Sequence, residues 1–288
     1  MTIQRVIGSH QRDLGGFHVR RVLPSDERQM VGPFIFFDHL GPTKFAPGYG
    51  IDVRPHPHIA LATVTYLFAG SLEHRDSLGS VREIYPGDVN WMSGGRGIVH
   101  SERTPQAARA SGEYVHAIQS WVALPDGHED GDPSFVHYPA AALPTRVADG
   151  VELTIIVGEA FGLRSPVATL WPTLYVHAHF SRGGALGLPA AGGERAVYVV
   201  QGDVAVDGTP VAAGQLALLE SGKESLLGAA GGARVMLLGG DAFPSPRYIW
   251  WNFVGSSPER IERAKDRWER RQFPEVPGET EFMPLPHY

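Results

Sequence analysis

Apolar and polar residues alternate in short runs along most of this chain, and turns containing glycine or proline separate the runs. Such alternation is typical of half-buried β-strands, because successive side chains of a strand point to opposite faces. Strands this short and evenly spaced favour an antiparallel sandwich or barrel of the jelly-roll type. In the first module we predict strands at residues 62–68, 71–76, 81–84, 89–92, 98–102 and 114–123.

A second module repeats this rhythm. Residues 63–70 align with residues 195–202, and residues 86–89 align with residues 213–216 after a hairpin that is five residues shorter. Self-similarity of this kind indicates a duplicated structural unit. The chain is therefore predicted to be all-β, with one barrel present twice. The predicted strands of the second module are residues 151–158, 173–180, 195–200, 203–206, 215–219 and 234–238.

The segment between the modules, residues 125–133, is polar, acidic and rich in turn residues. This composition favours a solvated linker, and loose metal binding by its histidine and acidic residues is the alternative. We predict a domain boundary here, which divides the chain into residues 1–130 and 131–288.

The pattern becomes helical near the C-terminus. Ser257 and Pro258 form a helix start, and Ile261, Ala264 and Trp268 recur at helical spacing. We predict one amphipathic helix of about four turns, at 3.6 residues per turn, packed against a barrel.

Composition narrows the possible functions. The 288 residues are 43% hydrophobic and 19% charged, with a net charge of −6 and no long basic run, which argues against direct nucleic-acid binding. No apolar run approaches the roughly 18 residues of a membrane span, and residues 1–7 lack the apolar core of a signal peptide. We expect a cytoplasmic monomer. Cysteine is absent, so a metal would need nitrogen and oxygen ligands.

Two pairs of candidate metal ligands lie at the ends of the first module's central stretch: His56 with His58, and His100 with Glu102. Residues two apart on a strand share a face, and residues 59–99 leave room for two hairpins to bring the pairs together. Three imidazoles and one carboxylate suit Fe, Mn, Co, Ni, Cu or Zn. They would fill four positions of an octahedron and leave two open for water, oxygen or a chelating substrate.

A His-x-His pair also occurs by chance, and His177 with His179 is a second example. No spaced His-x-Glu follows that pair, so we do not predict a site there. The repeat alignment places apolar residues at every candidate ligand position of the second module, which is therefore predicted to lack a metal. Those residues are Leu188 and Ala190 for His56 and His58, and Leu227 and Ala229 for His100 and Glu102.

Other residues admit two interpretations. Asp38 and His39 are either outer groups of the site or a turn-capping aspartate and a structural histidine. Residues 94–97 are glycine-rich but lack the Lys-Ser/Thr of a phosphate-binding loop, so a tight turn is the better account. Four residues are candidates to line a substrate pocket, although core packing explains them equally well: Phe36, Trp91, Met92 and Ile98.

The motifs at His56-Pro57-His58 and at residues 63–66, 86–92 and 95–102 resemble the pirins, a branch of the cupin superfamily. The resemblance covers nearly the whole chain. It implies two tandem cupin (jelly-roll) β-barrels with a C-terminal helix. It also implies one metal, usually Fe(II), in the N-terminal barrel, with four ligands that match His56, His58, His100 and Glu102. The chain departs from the family at residues 59–62, Ile-Ala-Leu-Ala, where many pirins have Arg-Gly-Phe-Glu.

Some pirins are similar to quercetin-cleaving dioxygenases, which open a flavonol with O₂ and release carbon monoxide. By this resemblance we expect a flavonol-like substrate, with Glu102 as ligand and as acceptor of the 3-hydroxyl proton. The alternative is a metal- and redox-dependent regulatory protein that binds a transcription factor or a metabolic enzyme. A third interpretation is another cupin chemistry, such as isomerisation or oxygenation of a different substrate.

Overall fold

The computed structural model describes residues 2–14 and 16–286, and most of its regular structure is β-strand. Each predicted strand is confirmed, with ends shifted by at most a few residues. Two α-helices, α1 (Gln106–Ser111) and α2 (Pro258–Glu269), and a 3₁₀ turn (Ala140–Ala142) complete the described elements. In chain order the strands are β1 (Ile3–Gly8), β2 (His10–Asp13), β3 (His18–Leu23), β4 (Phe34–Lys44), β5 (Asp52–His58), β6 (Leu61–Ala69), β7 (Leu72–Asp76), β8 (Val81–Ile84), β9 (Val89–Ser93), β10 (Ile98–Arg103), β11 (Tyr114–Ala123), β12 (Ser134–Tyr138), β13 (Thr145–Ala148), β14 (Val151–Val157), β15 (Glu159–Ala160), β16 (Leu163–Arg164), β17 (Thr173–Phe180), β18 (Gly184–Leu188), β19 (Glu194–Gln201), β20 (Val204–Val206), β21 (Thr209–Val211), β22 (Gln215–Leu219), β23 (Ser225–Ala229), β24 (Ala233–Gly240), β25 (Tyr248–Trp250) and β26 (Phe253–Gly255).

The chain forms two compact units whose segments interleave in sequence. We call them the N-terminal barrel unit and the C-terminal barrel unit. The predicted contiguous division into residues 1–130 and 131–288 stays a prediction about sequence domains. Among the described residues, the N-terminal barrel unit contains 13–14, 16–19, 40–140 and 244–286, and the C-terminal barrel unit contains 2–12, 20–39 and 141–243.

The N-terminal barrel unit contains a four-stranded sheet in the order β5-β10-β7-β8 and a larger sheet in which β12, β9, β6 and β11 are successive neighbours. All these pairings are antiparallel. Side chains from both sheets pack into an apolar cluster that occupies only part of the unit. Its buried members are Phe17, Val19, Leu40, Phe45, Ile51, Leu67, Leu72, Ile84, Val115 and Ala117.

The C-terminal barrel unit repeats this arrangement, with sheet orders β1-β22-β19-β24-β17-β14-β13 and β18-β23-β20-β21. Its apolar core is larger and draws on both sheets. Burial of apolar area stabilises a domain by about 25 cal/mol per Å², so this core is a substantial source of stability. The buried core residues are Val151, Leu153, Ile155, Val176, Ala178, Phe180, Leu188, Val197, Val199, Val204, Val206, Val211, Ala217, Leu219, Leu227, Ala233, Val235 and Leu237.

Strand register corrects the predicted alignment of the two copies. His56 lies opposite His100 across β5 and β10, and Leu186 lies opposite Leu227 across β18 and β23. The counterpart of His56 is therefore Leu186, two residues earlier than the alignment placed it. The error arises because the connection from β18 to β19 is longer than the one from β5 to β6. The corrected position is also apolar, so the conclusion that the second copy lacks these ligands is unchanged.

The acidic segment at residues 125–133 is largely exposed, as predicted for a solvated linker, but one of its acidic residues is buried. Glu129 is buried, and its carboxylate accepts hydrogen bonds from the backbone N–H and the hydroxyl of Ser256 at 2.7 and 2.6 Å. The guanidinium of Arg260 lies 3.0 Å from the same carboxylate. Glu129 was predicted to face solvent because its partners, Ser256 and Arg260, are more than a hundred positions later in the chain.

Helix α2 confirms the predicted amphipathic helix. Its buried face, Ile261, Ala264 and Trp268, packs in one cluster with Ile59 and Val99. Ile59 follows β5 directly and Val99 belongs to β10, so the helix supports the two strands that carry the candidate ligands. Among the described residues, no helix is long and apolar enough to span a membrane.

We predict that Glu129→Ala lowers the free energy of unfolding by about 2–4 kcal/mol, because it leaves buried donors and a guanidinium without their acceptor. Denaturant titration followed by tryptophan fluorescence measures the change. Asp132→Ala is the matched control in the same segment, since Asp132 is exposed and pairs with the exposed Arg96. Its effect should stay within about 0.5 kcal/mol. Equal effects of the two substitutions would contradict the structural role of Glu129.

Candidate metal centre

Three histidines converge in the N-terminal barrel unit. His56 and His58 project from alternate positions of β5, and His100 projects from β10 directly opposite His56. All three are buried, with ring centroids 4.3–5.0 Å apart. One ring nitrogen of each lies within 4.8 Å of the others, so this group can hold a metal ion.

The outer nitrogen of two of these rings is held by a backbone carbonyl. His56 Nδ1 lies 2.9 Å from the carbonyl oxygen of Arg54, and His58 Nδ1 lies 3.0 Å from that of Asn252. A carbonyl only accepts hydrogen bonds, so each Nδ1 must carry the proton and donate it. The Nε2 atom of each ring therefore keeps its lone pair, as a metal ligand requires.

Burial sets the protonation state of the group. It lowers the pKa of His56 to about 4, and it holds the pKa values of His58 and His100 well below their usual range. In each case the dominant cause is the loss of hydration of the charged ring. At neutral pH all three rings are neutral, which is the form that coordinates metals.

The distance between donors tests which metal geometry fits. His58 Nε2 and His100 Nε2 are 3.1 Å apart. Two nitrogens about 2.1 Å from one ion lie roughly 3.0 Å apart at right angles and roughly 3.4 Å apart at the tetrahedral angle. The observed separation matches neighbouring positions of an octahedron. The donor chemistry fits a transition-metal ion, and this separation allows His58 and His100 to bind the same ion.

Glu102, the predicted fourth ligand, lies on β10 beyond an irregularity in the β5–β10 ladder between residues 100 and 102. Glu102 is half-buried. Its carboxylate does not belong to the group of donor atoms that lie within 4.8 Å of one another. Its carboxylate accepts hydrogen bonds from Thr65 Oγ1 at 3.2 Å and Gln119 Nε2 at 3.4 Å. Burial raises its pKa, although these hydrogen bonds oppose the shift. Coordination by Glu102 stays a prediction.

Several residues around the histidines were not predicted from the sequence. Trp121 packs its ring 4.9 Å from that of His58. His74 Nδ1 lies 3.4 Å from His100 Nδ1, and its Nε2 lies 3.0 Å from Asp76 Oδ2. The alternation His74-Arg75-Asp76 on a predicted strand has the same period as His56-Pro57-His58 and was the available signal. It is weak, because such short alternations are common.

The other candidates lie elsewhere or play structural roles. His177 and His179 belong to β17 of the C-terminal barrel unit, where His179 pairs with Glu152 at 3.4 Å. In the same unit Asp38 accepts two hydrogen bonds from Arg21 at 2.8 Å, which favours its structural interpretation.

His39 likewise lies in the C-terminal barrel unit, where its Nδ1 is 2.9 Å from the hydroxyl of Tyr198. Of the proposed pocket-lining residues, Ile98 shares a strand face with His100, and Met92 lies opposite Thr63 in the β6–β9 ladder. Trp91 is directed to the opposite face from Met92. Phe36 belongs to the C-terminal barrel unit.

Within the departure at residues 59–62, Ala62 stands where many pirins have a carboxylate, and it lies on the face of β6 opposite to the one that reaches Glu102. Thr65 reaches Glu102, so Thr63 and Thr65 share the inner face of β6 and Ala62 is directed to the other face. Ala60 adopts a left-handed conformation with φ of 54°, which glycine, the residue of many pirins here, adopts without strain. The replaced carboxylate is therefore not a missing ligand of this site.

Comparisons with known proteins cover nearly the whole chain. The family model described as Pirin matches residues 16–122, and the one described as Pirin C-terminal cupin domain matches residues 175–274. A pirin-like protein of Caulobacter vibrioides is 46% identical over 289 residues, which is 99% of this chain and 99% of that protein.

Two further similarities concern proteins named for an activity. A Pseudomonas aeruginosa protein that is provisionally named quercetin 2,3-dioxygenase is 39% identical over 269 residues, covering 93% of this chain and 84% of that protein. The crystal structure of quercetin 2,3-dioxygenase from Acinetobacter baumannii superposes with a TM-score of 0.93 at 34% identity. The superposition covers 99% of this chain and 95% of that chain.

We predict that the double substitution His56→Ala/His58→Ala weakens binding of Ni²⁺ by at least about 100-fold, because it removes two of three converging imidazoles. Calorimetric titration of metal-free protein measures the affinity and the stoichiometry, which should be one ion per chain in the wild type. The control is His177→Ala/His179→Ala, which deletes a pair with the same spacing. An equal loss in both variants, with unchanged melting temperatures, would contradict the assignment of the site.

Proposed function

This chain belongs to the pirin family, and on that basis we propose that it is a metal-dependent dioxygenase that cleaves flavonols. The family places both modules in the cupin superfamily, so the predicted fold class of two tandem cupin barrels with a C-terminal helix is confirmed. Fold alone does not define an activity, so the proposal depends on the site.

One observation carries the proposal: three buried imidazoles converge in the barrel that matches the N-terminal pirin model, and Glu102 follows His100 by two residues on the same strand. A similar chain from Acinetobacter baumannii, described as quercetin 2,3-dioxygenase, covers nearly all of this chain at 34% identity. Together these support a reaction in which a flavonol and O₂ yield a ring-opened ester and carbon monoxide.

His56, His58, His100 and Glu102 would hold the metal, most simply Fe(II), although Ni, Cu, Co, Mn and Zn suit the same donors. A metal held there supplies a Lewis acid, and where it is redox-active an electron relay, for the reaction of a flavonol with O₂. The three buried rings contribute their part without any change of protonation, because burial already keeps them neutral at neutral pH.

Glu102 is the group that would accept the proton of the flavonol 3-hydroxyl. Burial raises the pKa of its carboxyl, and a carboxylate with a raised pKa is a stronger base. Thr65 and Gln119 orient the carboxylate from β6 and β11. Trp121 adds an aromatic wall beside His58, against which a flat flavonol ring could stack.

We predict that Fe²⁺-loaded protein in air removes the absorbance of quercetin and releases one carbon monoxide per flavonol. Glu102→Gln should lower the turnover number at least about 100-fold, since it removes the proton acceptor. Glu113→Gln is the control, because Glu113 is also partly buried but pairs with Ser71 instead. Absorbance and carbon monoxide capture by haemoglobin measure the reaction.

Protein that binds one metal ion but leaves quercetin intact with Fe, Ni, Cu, Co and Mn would overturn the proposed activity. That result would favour the regulatory alternative, in which the metal changes the affinity for a protein partner without turnover. Capture of a different set of partners by the reduced and oxidised metal forms would then be the expected behaviour.

A further inference from the structure

A chain of hydrogen bonds leads from one ligand histidine to a buried carboxylate. His100 Nδ1 lies 3.4 Å from His74 Nδ1, and His74 Nε2 lies 3.0 Å from Asp76 Oδ2. The other oxygen of Asp76 accepts the backbone N–H groups of Leu78 and Ser80 at 2.9 and 3.0 Å. Each of the three side chains is less than 5% exposed, so little water competes for these contacts.

The donors and acceptors in the series His100–His74–Asp76 can be assigned from the groups at its two ends. Ionised Asp76 only accepts hydrogen bonds, so His74 Nε2 must donate to it. At the other end, a His100 that binds metal through Nε2, the atom that faces His58 Nε2, carries its proton on Nδ1. The atom within reach of that proton is His74 Nδ1, which can accept it when His74 carries its own proton on the Nε2 that faces Asp76. His100 Nε2 is left with a lone pair directed toward His58 Nε2, where the metal ligands converge.

Packing holds the His74 ring in the required plane. The ring stacks on Phe135 with centroids 4.2 Å apart and an interplanar angle of 9°. Phe135 lies on β12, whereas His74 and Asp76 share one face of β7. The ring cannot rotate without losing the stack and the hydrogen bond to Asp76 together.

This arrangement distinguishes His100 from the other two ligands. His56 and His58 donate to backbone carbonyls of Arg54 and Asn252, which do not depend on the identity of a side chain. The orientation of His100 depends instead on two side chains, His74 and Asp76, so a substitution at either position can change it.

The second copy of the barrel supplies an independent observation. His100 lies opposite Asp76, and Glu102 lies opposite His74, in the β10–β7 ladder. The same positions of the β20–β23 ladder pair Leu227 with Val206 and Ala229 with Val204. The copy without histidine ligands therefore has valine at both positions, and both valines are part of its apolar core.

We propose that His74 and Asp76 are positioning residues of the metal centre: they hold His100 as the Nδ1-protonated tautomer and so direct its Nε2 to the metal. This inference rests on the metal centre of the proposed function and does not depend on flavonol cleavage. Outer groups that orient a metal-binding histidine typically contribute 10–100-fold, as an order of magnitude, in metal affinity.

The first test uses metal-free wild-type protein and two-bond ¹H–¹⁵N correlation spectra of its imidazole rings. We expect His100 to be protonated at Nδ1. In His74→Phe, which keeps the aromatic stack and removes both nitrogens, we expect His100 to become a mixture of tautomers. His74→Gln retains an acceptor and should restore part of the Nδ1-protonated form. A wild-type His100 protonated at Nε2 would overturn the proposal, and this measurement requires no variant to fold.

The second test measures Ni²⁺ affinity by chelator competition. We expect His74→Phe and Asp76→Asn to weaken binding by about 10–100-fold, and His74→Gln to weaken it less. The matched controls are His137→Phe and Asp88→Asn, which alter a second His–Asp pair of the same unit. Asp88 also accepts two backbone N–H groups, but His137 Nδ1 contacts Asn90 at 2.8 Å instead of a ligand ring.

Equal losses of affinity in the two sets of variants would overturn the proposal. If the wild type takes up no metal, the proposed function fails, whereas the tautomer of His100 in metal-free protein still decides whether the dyad positions it.

Discussion

The pairing of β5 with β10 is the constraint on which the rest of the site depends. The antiparallel register places His56 opposite His100, and the two-residue period of β5 adds His58 on the same face. A slip of one residue would turn every one of these side chains to the opposite face of the sheet. Several contacts support this register from outside the ladder. Helix α2 packs on Ile59 and Val99, and Glu279 accepts a hydrogen bond from Ser101 at 2.7 Å.

The two barrels share one fold but differ in the side chains that fill their interiors. In the C-terminal barrel unit, leucine, alanine and valine occupy the positions of the predicted ligands and of the His74–Asp76 dyad, and the interior is an apolar core. In the N-terminal barrel unit, polar groups replace part of that core, and each must find a partner because a buried polar group without one is costly. Backbone carbonyls, Asp76, Thr65 and Gln119 meet this requirement, which gives the site its defined orientation. Preorganised ligands of this kind are typical of functional centres, where some stability is exchanged for chemistry.

Much of the fold could be predicted because it is encoded in local patterns. Alternation identified strands in both modules, and helical spacing identified α2. Short strands with glycine, such as β18 and β23, gave no clear alternation and were missed. The linker hypothesis failed at Glu129, whose buried partners Ser256 and Arg260 are distant in sequence. The alignment of the two copies was wrong by two residues at the position of His56. It was counted between turns, so it could not show that the connection from β18 to β19 is longer than the one from β5 to β6.

For the site, the sequence by itself determined the identity of the donors: three imidazoles and a carboxylate at strand spacing, with no thiolate available. That much follows from residue type and from the period of a strand. The tertiary structure decided which donors converge, because His56, His58 and His100 meet only through the β5–β10 register. It also decided which groups contact the Nδ1 atoms of His58 and His100, since Asn252 and His74 belong to other elements. Hydrogen bonds between distant segments leave no periodic trace in a sequence, so only the folded chain reveals them.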